Sequence, residues 1–556
     1  MSGSCPILVH DNGLRVKHNA SVPDTYLRFK KLMKGRMKSI LNIRLRWMTG
    51  LLFFVAGTAP LTMTRAAEET PTVIAVAACD SFAEIREQFA WLGGLIGIPV
   101  LGGLPDTYAM MTTGGKGLQG LDINRPIGVV VSAQGDASLI HGFLPATDAN
   151  ILIETFADIS SRSMIEMTDA GEWVVVTPQG QPVTINDPDD MLSSITSHLS
   201  VGVKLFPSHL PETLRDSLLD SAEQSLGSTE DTIPQQLLGG LPVEGFDKDV
   251  AGDLLAQVEA VLVGFAVEKQ TNQIFLESRT IFLEDSTAGA FLATAGDVEP
   301  SLSLPPQVGQ YAMQLQIAQS LNDATQLKDL EEGLLGRIEQ IEQTQLGEWV
   351  RRIRAVVLPQ ILESGTFELV AGVAFPENVE GEQPLPSVVL GIGIADGNAI
   401  VEQLKGLVTE ADAIPENISV EFDVAEDDGF SFHDIMLMPL GKVTLAIGEK
   451  CIYAMTRLAD ESEYKAMSSE PTNGFQPIAS ANVRLESLLD GVAGLPPEMS
   501  IIVEDIKPRG ELNLLVRPIT RGLAIRLTAD GEAVQSGAAL GTRASALMPT
   551  NALIGE

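Results

Sequence analysis

The chain is poor in cysteine, in basic residues and in histidine, and each shortage excludes something. Three cysteines occur in 556 residues, and only Cys79 and Cys451 lie beyond residue 67. No cysteine pair is spaced for zinc. A chain this long buries a large core and needs no disulfide staples. One bond between Cys79 and Cys451 is permitted outside the cytoplasm, and two separate buried thiols account for the same letters.

Lys and Arg number 37 against 73 Asp and Glu, a net charge of −36. Residues 1–67 hold 11 of those bases and two of the acids, which leaves −45 on the rest. Phosphates would be repelled by such a body, so a nucleic-acid partner is excluded. The acids are scattered, as on a solvated acidic surface.

Four histidines follow the leader, His141, His198, His209 and His433. None is spaced with a second ligand in a metal pattern. His433 precedes Asp434 in a strand, which sends the two side chains to opposite faces and reads as a surface or cross-strand histidine. No phosphate loop, no nucleophile elbow and no second membrane-length apolar run occur.

What is present begins with an address. Lys38, Arg44 and Arg46 precede the apolar stretch Trp47–Val55, and Thr64 and Ala66 place small side chains where a signal peptidase reads. Residues 37–66 therefore read as a signal peptide cleaved after Ala66. The alternative is an uncleaved anchor through residues 47–63, near the lower length limit and weakened by Pro60. Residues 1–36 read as a non-native or unstructured extension, Met37 being the simpler start. The protein is expected outside the cytoplasm, periplasmic or secreted. Val76-Ala77-Ala78-Cys79 has the letters of a lipoprotein box, and a short buried strand explains them without acylation.

The body repeats a unit of strand, turn, strand and capped helix. The first copy runs from Ile127 through Leu144 to a helix capped by Asp148. The second runs from Val258 through Leu283 to a cap at Asp285 or Ser286, and the third from Phe367 through Ile394 to Asp396. A hairpin with one apolar face needs a cover, and the next helix supplies it. Period-2 alternation from Ile418 to Val424, a Glu426-Asp427-Asp428-Gly429 turn and Phe430–Met438 predict a further hairpin. Ser81 and Glu84 form a capping box before a helix. Apolar residues from Leu327 to Val357 recur at helical spacing, with Pro359 as the stop. The fold class expected is α+β, with antiparallel sheets built from these units in two related halves, 68–320 and 364–556. A helical connector at 321–363 joins them. A coiled-coil face on that connector, and assembly through an exposed sheet edge, are the sharper alternatives.

Chemistry is harder to find. Gly115-Lys116-Gly117-Leu118-Gln119-Gly120 has the letters of a dinucleotide fingerprint, but no helix can open at Leu121–Pro126, so a loop is expected. Asp187–Asp190 and Glu426–Gly429 lack the spacing of a calcium loop and read as a helix N-cap region and a turn. No catalytic residue, cofactor ligand or metal ligand is identified.

The stretch Gly120-Leu121-Asp122-Ile123-Asn124-Arg125-Pro126-Ile127-Gly128-Val129, with Gly142–Asp148, Leu445–Gly448, Asn482–Leu489, Val516–Ile519 and Arg521–Leu527, resembles large exported proteins of planctomycete-type bacteria. The resemblance rests on strands and turns and implies no activity, cofactor or site. The expectation is an exported, non-enzymatic envelope protein, a binding or structural module with an apolar ligand or an envelope protein as partner. The alternative is an extracytoplasmic hydrolase whose carboxylates converge only in the fold.

Overall fold

The structure is a computed structural model. It describes residues 70–547 except 136, 186, 228–247, 296–297, 299, 306–310, 322–346, 376–385, 410–417, 428, 438–440, 457–476 and 492–496. The expected signal peptide at 37–66, its alternative as an anchor at 47–63 and the expected extension at 1–36 lie outside the described residues. So does the connector up to residue 346.

Among the described residues the fold is α+β: one antiparallel sheet of 18 strands and 12 helices. The strands are β1 Thr72–Cys79, β2 Ile127–Gln134, β3 Ala137–Pro145, β4 Ile165–Asp169, β5 Trp173–Pro178, β6 Val201–Leu205, β7 Val258–Glu268, β8 Gln273–Phe282 and β9 Met313–Ser320. They continue as β10 Thr366–Ala374, β11 Ser387–Gly393, β12 Ile418–Asp427, β13 Phe430–Leu437, β14 Gly441–Ile447, β15 Cys451–Thr456, β16 Ala479–Arg484, β17 Glu511–Ile519 and β18 Gly522–Asp530. The helices are α1 Phe82–Leu95, α2 Leu104–Thr112, α3 Ala149–Ser163, α4 Asp189–Thr196, α5 Glu212–Gly227, α6 Lys248–Ala256, α7 Thr287–Ala295, α8 Gly347–Glu363, α9 Gly397–Thr409, α10 Leu485–Gly491, α11 Pro497–Ile506 and α12 Gly531–Leu547. No described helix is long and apolar enough to cross a membrane.

Following the hydrogen-bonded pairs from edge to edge gives the order β4-β5-β3-β2-β1-β6-β7-β8-β18-β17-β16-β9-β10-β11-β15-β14-β13-β12. Hairpins supply the local pairs. The central junction, β8 on β18, joins strands some 250 residues apart in sequence.

Caps start the helices where their side chains predict. Ser81 Oγ accepts from Glu84 N at 3.2 Å, and Asp148 Oδ1 from Ile151 N at 3.0 Å. Ser286 Oγ accepts from Gly289 N at 3.0 Å, Asp396 Oδ1 from Ala399 N at 3.1 Å and Asp530 Oδ1 from Ala533 N at 2.8 Å. Each cap satisfies an amide that the first turn cannot, and is worth about 1 kcal/mol. Four hairpins, β2–β3, β7–β8, β10–β11 and β17–β18, thus run into a capped helix. One expectation fails at α8, where Pro359 sits inside the helix rather than ending it. The turn beyond the proline continues because Ile361 is buried with Val356, Ile394 and Ile400, and that burial outweighs the lost hydrogen bond.

One face of the sheet carries helices towards both ends, while on its central strands Phe265, Leu276, Leu527 and Leu514 form an exposed row. At those ends α3 buries Leu152 against Val174, and α8 and α9 bury Val356 and Ile400 against Ile394 and Ile447. The opposite face is covered in its N-terminal part by α4, which sets Leu192 and Ile195 on Val76, Ala78, Val130 and Phe143. Gly128 makes this approach possible, since a Cβ there would lie 2.2 Å from Leu192 Cδ2. In its C-terminal part this face carries Val370, Val389, Phe432 and Tyr453 under a short strap, Pro300–Pro305.

The two cysteines do not pair. Cys79 in β1 and Cys451 in β15 are free, ten strand positions apart, and burial pushes both thiols up to about 11. A disulfide needs Cα atoms within about 7 Å.

Candidate functional site

Between the α4-covered part and the strap, the second face of the sheet opens into a cleft of about 670 Å³. Its floor is built by period-2 alternation, which sends every other residue of β9, β16, β17 and β18 the same way. Register then lines these residues up across strands. One row is Gln314, Asn482, Asn513 and Thr528; the next is Gln316, Ser480, Leu515 and Arg526. The rows therefore offer carboxamides, hydroxyls and a guanidinium beside Leu515, and Leu302, Leu304 and Val370 add apolar wall.

The walls are fastened. Glu368 Oε2 accepts from Ser301 N at 2.7 Å, Ser301 Oγ at 2.9 Å and Leu302 N at 3.2 Å, which pins the strap. Tyr453 donates to Ser303 O at 3.0 Å, and Tyr311 to Pro305 O at 2.9 Å. Gln316 Nε2 donates to Leu302 O at 3.1 Å, tying floor to wall.

The charges beside the cleft are paired. Arg484 Nε donates to Glu511 Oε1 at 2.9 Å. Glu277, 1% exposed, accepts from Arg279 and Arg526, and the Arg526 guanidinium lies 4.0 Å over the Phe275 ring. Burial pushes the Glu277 carboxyl up, but hydrogen bonds and charge from Arg279 and Arg526 outweigh it and hold it below the usual carboxylate range. Asn482 Nδ2 donates to Glu511 Oε2 at 3.2 Å and to Asn513 Oδ1 at 2.5 Å. Its own Oδ1 is buried with no hydrogen-bond partner among the described residues.

A second space, of about 260 Å³, lies under α3 between Phe156, Ile159 and the strand residues Ile165, Met167 and Val176. Its lining is apolar. It falls below the roughly 300–1,000 Å³ of ordinary ligand sites.

The residues weighed from sequence are dispersed. His141 is fully buried, its Nε2 3.2 Å from Thr184 N and from Pro182 O, and burial lowers its pKa. His433 is a buried cross-strand histidine: Nδ1 accepts from Asp423 N at 3.1 Å, and burial lowers its pKa too. His198 is exposed. His209 stacks on Phe206, with its Nδ1 2.8 Å from Val73 O. The glycine-rich stretch at 115–120 is a loop after α2. Gly120 takes φ +80°, and a Cβ on it would lie 2.5 Å from Leu152 N, so this glycine serves the packing of α3. Asp189 starts α4 and is gripped by Arg125, 2.9 Å from each oxygen; Arg125 also holds Glu172 at 2.9 Å. Glu426 and Asp427 end β12 at a hairpin turn with Gly429 at φ +83°. Among the described residues no three His, Cys, Asp or Glu cluster as metal ligands.

Among the described carboxyls, Asp80 is the one pushed up, to about 6, first by burial and then by the neighbouring Glu84, against hydrogen bonds from Gln88 and Ser200. It stands at the end of β1 and does not line the cleft. The sequence pattern does not single out the cleft residues. Their signal is the alternation Gln314, Gln316 in β9 and Ser480, Asn482, Arg484 in β16, which a solvent-facing strand would also show.

No family model matches the chain, and no curated protein matches it. Among solved structures, the duplicated taurocyamine kinase from Schistosoma mansoni with bound transition state analog components aligns at 9% identity over 86% of this chain and 82% of that chain. The TM-score is 0.11, too low to indicate a shared fold.

Proposed function

We propose that the protein is an exported, non-enzymatic envelope protein, a binding module made of two copies of one eight-stranded unit. The polar cleft is its ligand site. Strand order supports the duplication. The series β4-β5-β3-β2-β1-β6-β7-β8 has the same order as β14-β15-β11-β10-β9-β16-β17-β18, with β12–β13 as an added hairpin. The unit boundary then falls between α7 and β9. On this reading α8 corresponds to α1, each following the first strand of its unit, rather than to a connector.

Asp148 and Asp396, the caps after β3 and β11, fix the alignment, and the ladder registers carry it outward. Trp173–Pro178 then meets Cys451–Thr456 end to end, and Glu277 meets Arg526. These two also face each other across the β8–β18 junction. At the axis of a two-fold pair, a residue faces its own counterpart. Two identical copies would set like charges together; one chain allows Glu against Arg.

The observation that carries the binding role is the contrast between twin positions. Gln314, Gln316, Ser480 and Asn513 align with Val76, Ala78, Gly202 and Leu262, while Asn482 and Thr528 align with Lys204 and Arg279 and are polar in both units. In the first four pairs the N-terminal members are apolar or small and lie under α4. Their C-terminal counterparts are polar and line the cleft. The same scaffold therefore makes core at one site and a hydrogen-bonding surface at the other, which is what a ligand site on a rigid sheet requires. A hydrolase needs a carboxyl poised to move a proton at the site, whereas Glu277 and Glu511 are each tied to arginine.

Export rests on the leader and on the exported proteins the chain resembles. Cell fractionation with N-terminal sequencing tests it. A mature chain beginning at Ala67, in the extracytoplasmic fraction, is expected. An intact chain in the cytosol would overturn the envelope role.

A further inference from the structure

Taking the cleft as a binding site, as above, we infer that its ligand is a short, neutral oligosaccharide. Three observations narrow the chemistry. First, the charged groups beside the cleft neutralise each other, Arg484 with Glu511, and Arg279 and Arg526 with Glu277 and Glu268. A strongly anionic ligand would meet no spare cation there, on a protein of net charge −36. A cation would have to displace arginines from these carboxylates.

Second, carboxamides and hydroxyls fill six of the eight floor positions in a fixed grid, with Leu515 and Arg526 in the other two. A carboxamide presents an acceptor and two donors side by side, and a sugar hydroxyl is itself both donor and acceptor, so the two match without any charge. Neighbouring strands set Gln314, Asn482 and Asn513 about 4.8 Å apart along one row, and the next row begins roughly 7 Å away along the strands. Rows of this kind suit a flat ring with hydroxyls around its rim. Asn482 Oδ1, buried without a partner, is an acceptor that a ligand hydroxyl would satisfy.

Third, the site cannot capture a peptide in the usual way. An extended peptide binds a sheet by adding a strand to its edge. Strands β9, β16, β17 and β18 are all interior, each paired on both sides, so their backbone groups are already used. The sheet floor therefore offers the cleft side chains only. Its volume of about 670 Å³ lies within the range of small-molecule sites and leaves room for more than one ring.

The test is calorimetric titration of the mature protein with neutral di- and trisaccharides of α- and β-linked glucose, galactose, mannose and N-acetylglucosamine. An uncharged pentapeptide of alanine and glycine runs in parallel. At least one saccharide is expected to bind, and Asn482→Leu and Gln314→Leu each to weaken it tenfold or more, Gln314→Leu without changing the thermal melt. Thr528→Val serves if either variant melts early. Bound saccharide should slow hydrogen exchange in β9, β16 and β17. Peptide binding at these residues with no saccharide binding would overturn the sugar assignment and leave the cleft as a binding site. Saccharide binding that the three variants leave intact would place it elsewhere and overturn the assignment as well. Binding of neither probe by properly exported protein would overturn both the assignment and the cleft's role.

Discussion

Glu277→Ala is expected to lower the free energy of unfolding by about 3–5 kcal/mol, measured by urea denaturation at pH 7. The carboxylate is 1% exposed and accepts from both Arg279 and Arg526. Removing it leaves two guanidiniums facing one another on the central junction of the sheet. Such a half-broken pair costs far more than a surface bridge, whose median contribution is about 0–1 kcal/mol. The double variant Glu277→Leu with Arg526→Leu should lose less than the sum of the single losses, because the buried charge goes with its partner. The pH dependence has a definite sign. The folded carboxyl titrates below its ordinary value, so its stabilisation is full above the unfolded pKa and is lost as pH falls through the folded one. The gap between wild type and Glu277→Gln should therefore narrow below about pH 4. A gap that widened in acid would mean that the arginines do not hold this group.

Exchanging chemistry between the twin positions should give opposite results in the two parts of the sheet. Val76, 2% exposed, is packed with Leu192 and Ile195 of α4. Val76→Gln buries an amide with no partner and adds volume to a filled core, and is expected to cost about 2–5 kcal/mol. Gln314→Val, at the matching place on β9, removes an amide from an open, half-buried site. Its effect should stay within about 0.5 kcal/mol. Saccharide binding should survive Val76→Gln, in whatever fraction remains folded, and fall in Gln314→Val. Equal costs at the two positions would remove the contrast on which the binding role rests.

The local parts of this architecture were written plainly in the chain. Asp148, Asp396 and Ser81 announced helix starts because a cap acts on amides three residues away. The hairpin of β12 and β13 showed through its alternation and its acidic turn. Strand β9 did not, because Met-Gln-Leu-Gln-Ile-Ala-Gln-Ser carries amides where a sheet strand is expected to carry apolar residues on a covered face. Pro359 misled because a proline's local cost is visible in sequence while the burial of Ile361 is not. The junction of β8 with β18 was out of reach for the same reason. Register between distant strands is set by which faces become buried, a property of the assembled sheet. The cleft was hidden one level deeper still. Amides alternating along a strand look alike whether they meet bulk water or a bound molecule, and only the placement of α4 and the strap separates the cases.

Amide hydrogen exchange across the central junction is the most direct test, since Arg526 meets Glu277 and β18 is an interior strand only if β8 and β18 join the two units into one sheet. Nine residue pairs, Gly522 with Ile281 through Asp530 with Gln273, make that ladder. The account predicts that amides of both strands are protected as strongly as those of β1 and β10. Two half-sheets that merely lie side by side would instead show β8 and β18 exchanging like edge strands, on every second residue, and would contradict it.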